Sequence, residues 1–343
     1  MPTDGGLAGA APSSTRASTR ELWFTGPRAV EIRAGRLPAL RAGQVVARAL
    51  ASGVSQGTEL LLYRGQGPTP FDPSLDPAGA ATYPRRYGYA WVGEVVECGP
   101  GLPAASVPAV GSIVFALAPH GDRHVLEGAA VRTLDRAIPP ARAVLAANLE
   151  TAITCVWDAN VSLGDRVVVL GGGVVGLLVA RLATASGGQV RLVEPSTRRR
   201  ALAIALGIAA VSPEQDEPCA DADVVVEATG DPRVLDRAVA HAAREAAVVV
   251  ASFYGARTAP VALGADFHRR RLRLVATQVS SLPPAHAPRW SFDRRFDLVR
   301  TLLADPALDA LIDPPCRFEE AASVYQSLDR SPGDAVQTLF EYE

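Results

Sequence analysis

Residues 166–180 read Arg166-Val-Val-Val-Leu170-Gly171-Gly172-Gly173-Val174-Val175-Gly176-Leu-Leu-Val-Ala180. An apolar run without alternation predicts a strand buried on both faces. Gly171, Gly173 and Gly176 follow at once and give G-x-G-x-x-G where a helix begins. In that setting the first glycine permits the tight turn and the second lets backbone approach a pyrophosphate. The third lets helix pack closely on strand. The helix start offers free N–H groups to the phosphates, and Gly172, Val174 and Val175 complete the turn. Glu194 ends the next predicted strand, 18 residues after Gly176. An acid at that place is expected on the adenosine ribose hydroxyls. The segment therefore predicts a dinucleotide site with NAD as cofactor. NADP stays open, because Arg198, Arg199 and Arg200 follow Glu194, and arginines at that strand end hold a 2′-phosphate.

Outward from this turn, strands and helices alternate. Strands are expected at 166–170, 189–193, 223–227, 247–251 and 271–278, and helices at 141–160, 174–186, 198–206 and 233–244. This is the rhythm of a parallel sheet covered on both faces. Residues 21 to about 135 differ: short runs such as 44–51, 91–98 and 112–116 are bounded by Gly and Pro and read as β-rich. Residues 65–84 should form a long surface loop, with Phe71, Tyr83, Arg64, Arg85 and Arg86 in or beside it. After a helix at 292–304, residues 317–328 and 335–342 read as a helix and a strand that leave the βα rhythm and return to the first unit. The expected division is a disordered tail at 1–19, a β-rich unit of 20–145 and 290–343, and a dinucleotide-binding unit of 146–289.

Composition narrows the function. The 343 residues hold 34 basic and 36 acidic side chains, spread along the chain, which gives no reason to expect nucleic acid or an anionic membrane as partner. All the basic residues are arginine. Without lysine there is no Schiff-base amine, no P-loop lysine and no Tyr-x-x-x-Lys pair. Cys98, Cys155, Cys219 and Cys316 are too scattered for a C-x-x-C pair, which fits a reducing cytoplasmic setting. No apolar run reaches the roughly 18 residues of a membrane span. The charged-apolar alternation of Arg269–Gln278 suits an exposed edge strand, so a homodimer is expected.

Four further segments carry a family resemblance. Ser52-Gly-Val-Ser55-Gln-Gly-Thr58-Glu59 resembles the G-x-C-x-[ST]-D segment of the medium-chain dehydrogenase/reductases, with one residue inserted. Tyr87-Gly88-Tyr89-Ala90-Trp-Val-Gly93 resembles the segment that opens with Gly-His-Glu, and Leu149-Glu150-Thr-Ala the Glu-Pro-Leu-Ala segment. Val224-Val-Val-Glu227-Ala228-Thr229-Gly230 resembles the strand end beside the nicotinamide, with Ser252 at the end of the next strand. The resemblance covers roughly residues 21–343. It implies an α/β protein with a GroES-like β-rich catalytic domain and a Rossmann doubly wound parallel-sheet domain.

The departures are as informative. Ser55 stands where the family's zinc cysteine would be and Tyr89 where its zinc histidine would be, so only Glu150 keeps a ligand type. Neutral Ser and Tyr are poor zinc ligands, and the four-cysteine structural lobe is missing between Gly111 and His120. The resemblance thus implies a zinc-free member. Proton chemistry would fall to Tyr89, Ser55, Thr58, Glu59, His120, His124 or Glu150; the two histidines lie in the short loop replacing the lobe and are expected to face the cleft. Ser55 and Tyr89 can equally be fillers of a vacated metal site, and His268 and His286 are weaker candidates. The function expected is hydride transfer between NAD(P) and a small alcohol/ketone pair. Reduction of a polarised C=C bond, as in quinone and enoyl reductases, is the alternative, and a non-catalytic NAD(P)-binding protein is the alternative of another class.

Overall fold

The computed structural model describes residues 17–67, 82–100, 108–331 and 333–343. Most of the expected tail and of the 65–84 loop, Phe71 included, lies outside the described residues. The first unit opens with β1 (Ser18–Gly26) and β2 (Ala29–Arg36), then β3 (Gln44–Gly53), α1 (Thr58–Tyr63), β4 (Trp91–Cys98), β5 (Ile113–Ala116), β6 (Arg123–Glu127) and β7 (Arg132–Leu134). β1 begins inside the segment expected to be tail. Thr19 is buried, and its hydroxyl donates to Asp122 Oδ1 (3.0 Å) and to the Arg123 carbonyl (3.1 Å), so residues 18 and 19 belong to the fold.

Next come α2 (Pro140–Ala143), α3 (Ala146–Ala159), β8 (Arg166–Leu170), α4 (Val174–Ala185), β9 (Gln189–Val193), α5 (Thr197–Ala205), β10 (Ala209–Val211), β11 (Ala222–Glu227), α6 (Leu235–His241), β12 (Ala242–Val250) and β13 (Arg273–Ala276). The six strands form one parallel sheet in the order β10-β9-β8-β11-β12-β13. Its alternating side chains build two cores. Val167, Val169, Val224, Val226 and Val249 meet Ile153 and Val156 of α3 and Leu177 and Leu178 of α4. Val168, Leu170, Val225 and Val248 meet Leu235, Ala238 and Val239 of α6 on the other face. A strand buried on both faces carries no polar alternation, which is why these runs are continuously apolar.

Two expected helices are shorter than the sequence pattern. The run 141–160 breaks between α2 and α3, and α3 ends at Asn160 in the left-handed conformation (φ 51°). The run 233–244 stops at His241, because Ala242 already pairs with Ala222 in the sheet. Pairing there overrides the helix propensity of an Ala-rich segment.

The chain closes with α7 (Phe292–Leu303), β14 (Cys316–Arg317), α8 (Ala321–Arg330) and β15 (Leu339–Glu341). β15 pairs antiparallel with β3, setting Phe340 opposite Ser52. The first sheet thereby runs β14-β15-β3-β4-β5-β7, with β6 also on β3. Residues about 290 apart in sequence meet across this pairing, and Tyr342 OH lies 2.6 Å from Ser52 Oγ.

Candidate functional site

The carboxyl edge of the parallel sheet is shaped for a dinucleotide. Gly171 has φ +100°, and a Cβ on Gly176 would lie 1.9 Å from the Gly171 carbonyl oxygen, so neither position accepts a side chain. A Cβ on Gly173 would meet nothing within 4 Å, and Gly173 caps α4 without a side-chain hydrogen bond. Open space thus faces a helix start with free N–H groups, which fits a pyrophosphate. Ala228 packs beneath the turn, its N–H donating to the Leu170 carbonyl (2.8 Å). Val174 and Val175 form the first helical residues and pack partly against the core.

Glu194 is buried beside this turn. Its Oε2 accepts from the Gly172 N–H (2.6 Å) and its Oε1 from the Ser196 N–H (2.8 Å). Of the three arginines, Arg198 is engaged with Asp313 and the Asp334 carbonyl, and Arg200 with the Glu194 and Pro195 carbonyls. Arg199 is the one beside the acid, 3.9 Å from Glu194 Oε2. The groups that favour NAD and NADP therefore stand next to each other. Further along the edge, Thr229 N–H donates to Glu227 Oε1 (2.7 Å) and Gly230 N–H to Ser252 Oγ (2.8 Å). Glu227 is fully buried and also accepts from the Tyr254 hydroxyl. Burial, and then this carboxylate, push the Tyr254 phenol up. Neither Tyr254 nor the acceptor role of Glu227 is visible from the sequence pattern.

A second group of side chains gathers at the start of α1. Tyr89 OH donates to Ser55 Oγ (2.5 Å), and the Thr58 N–H also donates to Ser55 Oγ (3.3 Å). With both lone pairs taken, the Ser55 proton is left for a further acceptor. Burial raises the Tyr89 phenol pKa; its hydrogen bonds with Ser55 and Thr58 oppose the shift and the Glu59 charge adds to it. The far end of α1 meets the loop after β12: the Ala256 N–H donates to the Gln66 carbonyl (3.2 Å) and Gly255 lies against Leu61. This contact holds α1 beside the carboxyl edge of the parallel sheet.

The other expected residues lie elsewhere. Glu59 and His120 are buried behind Ser55, and His120 Nε2 donates to Glu59 Oε2 (3.0 Å), so His120 does not face an open cleft. His124 is a core residue on β6, with its ring 5.1 Å from Trp91 and Nε2 donating to the Pro119 carbonyl (2.8 Å). Both histidines point inward because the short loop folds back onto β3 and β4 instead of projecting. Glu150 sits on α3 paired with Arg295 of α7 (Nη2 2.8 Å, Nε 3.1 Å). Arg295 also donates to Thr154 Oγ1 (3.0 Å) and the Val279 carbonyl (2.8 Å). It is a partner that spacing alone does not reveal. His286 stacks on Trp157 at 4.7 Å. Among the described residues, no three His, Cys, Asp or Glu side chains converge on one point. The hydroxyls that replace two zinc ligands bond each other and the remaining carboxylate is neutralised by a guanidinium, so these donors do not fit a catalytic zinc.

A family model for NAD(P)-binding matches residues 161–257. The chain is 33% identical over 273 residues to 2-desacetyl-2-hydroxyethyl bacteriochlorophyllide A dehydrogenase of Cereibacter sphaeroides, covering 75% of this chain and 81% of that one. It belongs to the medium-chain dehydrogenase/reductase superfamily. D-guloside 3-dehydrogenase of Escherichia coli is 25% identical over 353 residues, 93% of this chain and 98% of its own. The structure of 2R,3R-butanediol dehydrogenase from Bacillus subtilis shares the fold, with a TM-score of 0.76 at 19% identity over 94% of this chain and 99% of that one. This medium-chain member is an NAD(P)-dependent oxidoreductase of alcohol–ketone pairs, built from a GroES-like unit and a Rossmann unit.

The buried His124 gives a pH-dependent stability. Burial pushes it from its ordinary 6.5 to about 4, against the opposing hydrogen bond to Pro119. Between those values the unfolded chain binds a proton that the folded protein refuses. Its contribution is therefore whole above pH 6.5 and is lost as pH falls toward 4. His124→Gln keeps a donor for the Pro119 carbonyl and removes the titration. Urea unfolding at pH 7 and pH 5 is expected to show the unmodified protein losing about 2 kcal/mol more than the variant. Equal losses would place the acid sensitivity elsewhere.

Proposed function

We propose that this dehydrogenase interconverts a secondary alcohol and a ketone without zinc, with Ser55 and Tyr89 handling the proton at the substrate oxygen. The observation that carries the reading is the Tyr89–Ser55 hydrogen bond (2.5 Å), which leaves the Ser55 proton for a substrate oxygen. Bound nicotinamide supplies or takes the hydride at the substrate carbon. The chain's own groups serve the oxygen. In the reducing direction Ser55 gives its proton to the carbonyl oxygen and takes the Tyr89 proton in its place. The raised pKa of Tyr89 keeps the relay protonated near neutral pH, the state that the reducing direction needs, and Tyr89 regains its proton from solvent after each turnover. In the oxidising direction the two shifts reverse, once Tyr89 has given its proton to solvent. Thr58 borders the same oxygen, while Glu59 and His120 lie behind it.

On this reading the unit of residues 20–145 and 290–343 supplies the site and residues 146–289 hold the cofactor. The substrate is a small alcohol or ketone; named relatives are dehydrogenases of a hydroxyethyl bacteriochlorophyllide and of a guloside. β13 ends the parallel sheet, with Leu274 43% exposed on it. It is shorter than the 271–278 run, yet it offers an unpaired edge, and we propose that two copies join there as a homodimer. Four cysteines without disulfides fit a cytoplasmic protein, which cell fractionation checks.

Tyr89→Phe removes one hydroxyl and keeps the ring. Turnover of a secondary alcohol or ketone is expected to fall about a hundredfold or more, with cofactor affinity unchanged. The unmodified enzyme, dialysed against chelator, should keep its rate. A Tyr89→Phe enzyme at full speed, or activity lost to chelator and restored by zinc, would overturn the reading. Sedimentation at micromolar concentration should give a dimer, and Leu274→Glu a monomer. A monomeric unmodified protein would remove the dimer.

A further inference from the structure

Beneath the hydroxyl pair lies a polar array closed off from water. Glu59 is 0% and His120 1% exposed. The Glu59 carboxylate accepts from the Ser55 N–H at Oε1 (3.0 Å), from His120 Nε2 at Oε2 (3.0 Å) and from the Tyr325 hydroxyl. His120 Nδ1 continues to Ser52 Oγ (2.6 Å), and Ser52 Oγ to Tyr342 OH (2.6 Å). The donors come from the β3–α1 connection, from the loop after β5 and from α8, so the carboxylate is fixed from three directions. Tyr325 holds its proton, because burial and then the Glu59 charge raise its pKa. The other groups facing this space are Tyr89, Thr58 and Tyr342.

We propose that Glu59 is a positioning residue: held by His120 and Tyr325, it grips the Ser55 backbone and so aligns the Ser55 hydroxyl with Tyr89. This rests on the reading of Ser55 and Tyr89 as the proton-handling pair. Glu59 is too deeply buried to touch substrate, and its direct bond to the reacting group is through the Ser55 main chain. Its placement is what lets a serine replace a rigid metal ligand. A serine hydroxyl rotates freely unless its backbone and its acceptors are fixed, and a relay needs that alignment before substrate arrives.

The test is a double-mutant cycle on the full-length protein, with turnover and cofactor dissociation constants measured in parallel. Glu59→Gln keeps the size of the side chain but turns one accepting oxygen into an NH2 donor, so it cannot accept from all three donors at once. In the unmodified background it is expected to lower turnover about tenfold or more, with cofactor binding unchanged. In a Tyr89→Phe background the same change is expected to lower turnover little further, because the alignment it supplies has already lost its object. Should Glu59→Gln leave turnover intact, or lower it by the same factor in both backgrounds, the positioning role is overturned. Should Tyr89→Phe alone keep full turnover, it is the proton-handling assignment that fails. Tyr325→Phe, which removes one donor from the remote helix α8, is read in the same cycle and decides the matter if Glu59→Gln does not fold.

Discussion

A carboxylate taken out of water must be met by hydrogen-bond donors, since the unmet charge costs several kcal/mol. Four of the five buried acids among the described residues show how that demand shapes this chain. Glu194 draws in the Gly172 and Ser196 amides, Glu227 those of Thr229 and the Tyr254 hydroxyl. Asp216 gathers Arg237, His241 and Arg191 under the sheet. Glu59 holds Ser55, His120 and Tyr325. In three of the four most of the donors lie on loops that end strands or open helices. Satisfying the acids therefore fixes the loops on which the cofactor turn and the hydroxyl pair are mounted. Rigidity where binding groups sit is a by-product of electrostatic necessity.

The same logic accounts for the fate of the metal-type positions. Where two of three ligands are neutral hydroxyls, the surviving acid Glu150 has no cation unless the protein provides one. Arg295 does so with a two-nitrogen contact and extends its fork to Thr154 and Val279. Arginine suits such a place, since its planar fork serves several acceptors at once. A chain whose basic residues are all arginine has this tool everywhere.

How far the sequence spoke depends on the range of the interaction. The Gly171–Gly176 turn, the parallel strands and Glu194 are local features, and their residue types alone dictate them. The hydroxyl cluster was legible in part, because Ser55, Thr58 and Tyr89 fall in recognisable segments. What spacing could not convey was orientation. His120 and His124 stand in a loop by sequence, yet both turn into the core, where Glu59 and the Pro119 carbonyl receive them. Tyr325 and Tyr342 lie over 260 residues from Glu59 and Ser52 respectively, and Arg295 145 residues from Glu150. No periodicity links such positions. The ends of helices failed for a related reason: at Ala242 a strand partner outweighed local propensity.

The pairing of β15 with β3 has a consequence in time. A nascent chain emerges from its amino end, and the parallel sheet of β8 to β13 contains its own contacts. Strand β3 waits much longer, since its partner Leu339–Glu341 follows it by about 290 residues. Until they exist, Ser52 lacks Tyr342, Glu59 lacks Tyr325, and an apolar flank of β3 stands uncovered. The nucleotide-shaped half can thus be complete while the half bearing the hydroxyls is still open, so the protein acquires its cradle before it acquires its chemistry.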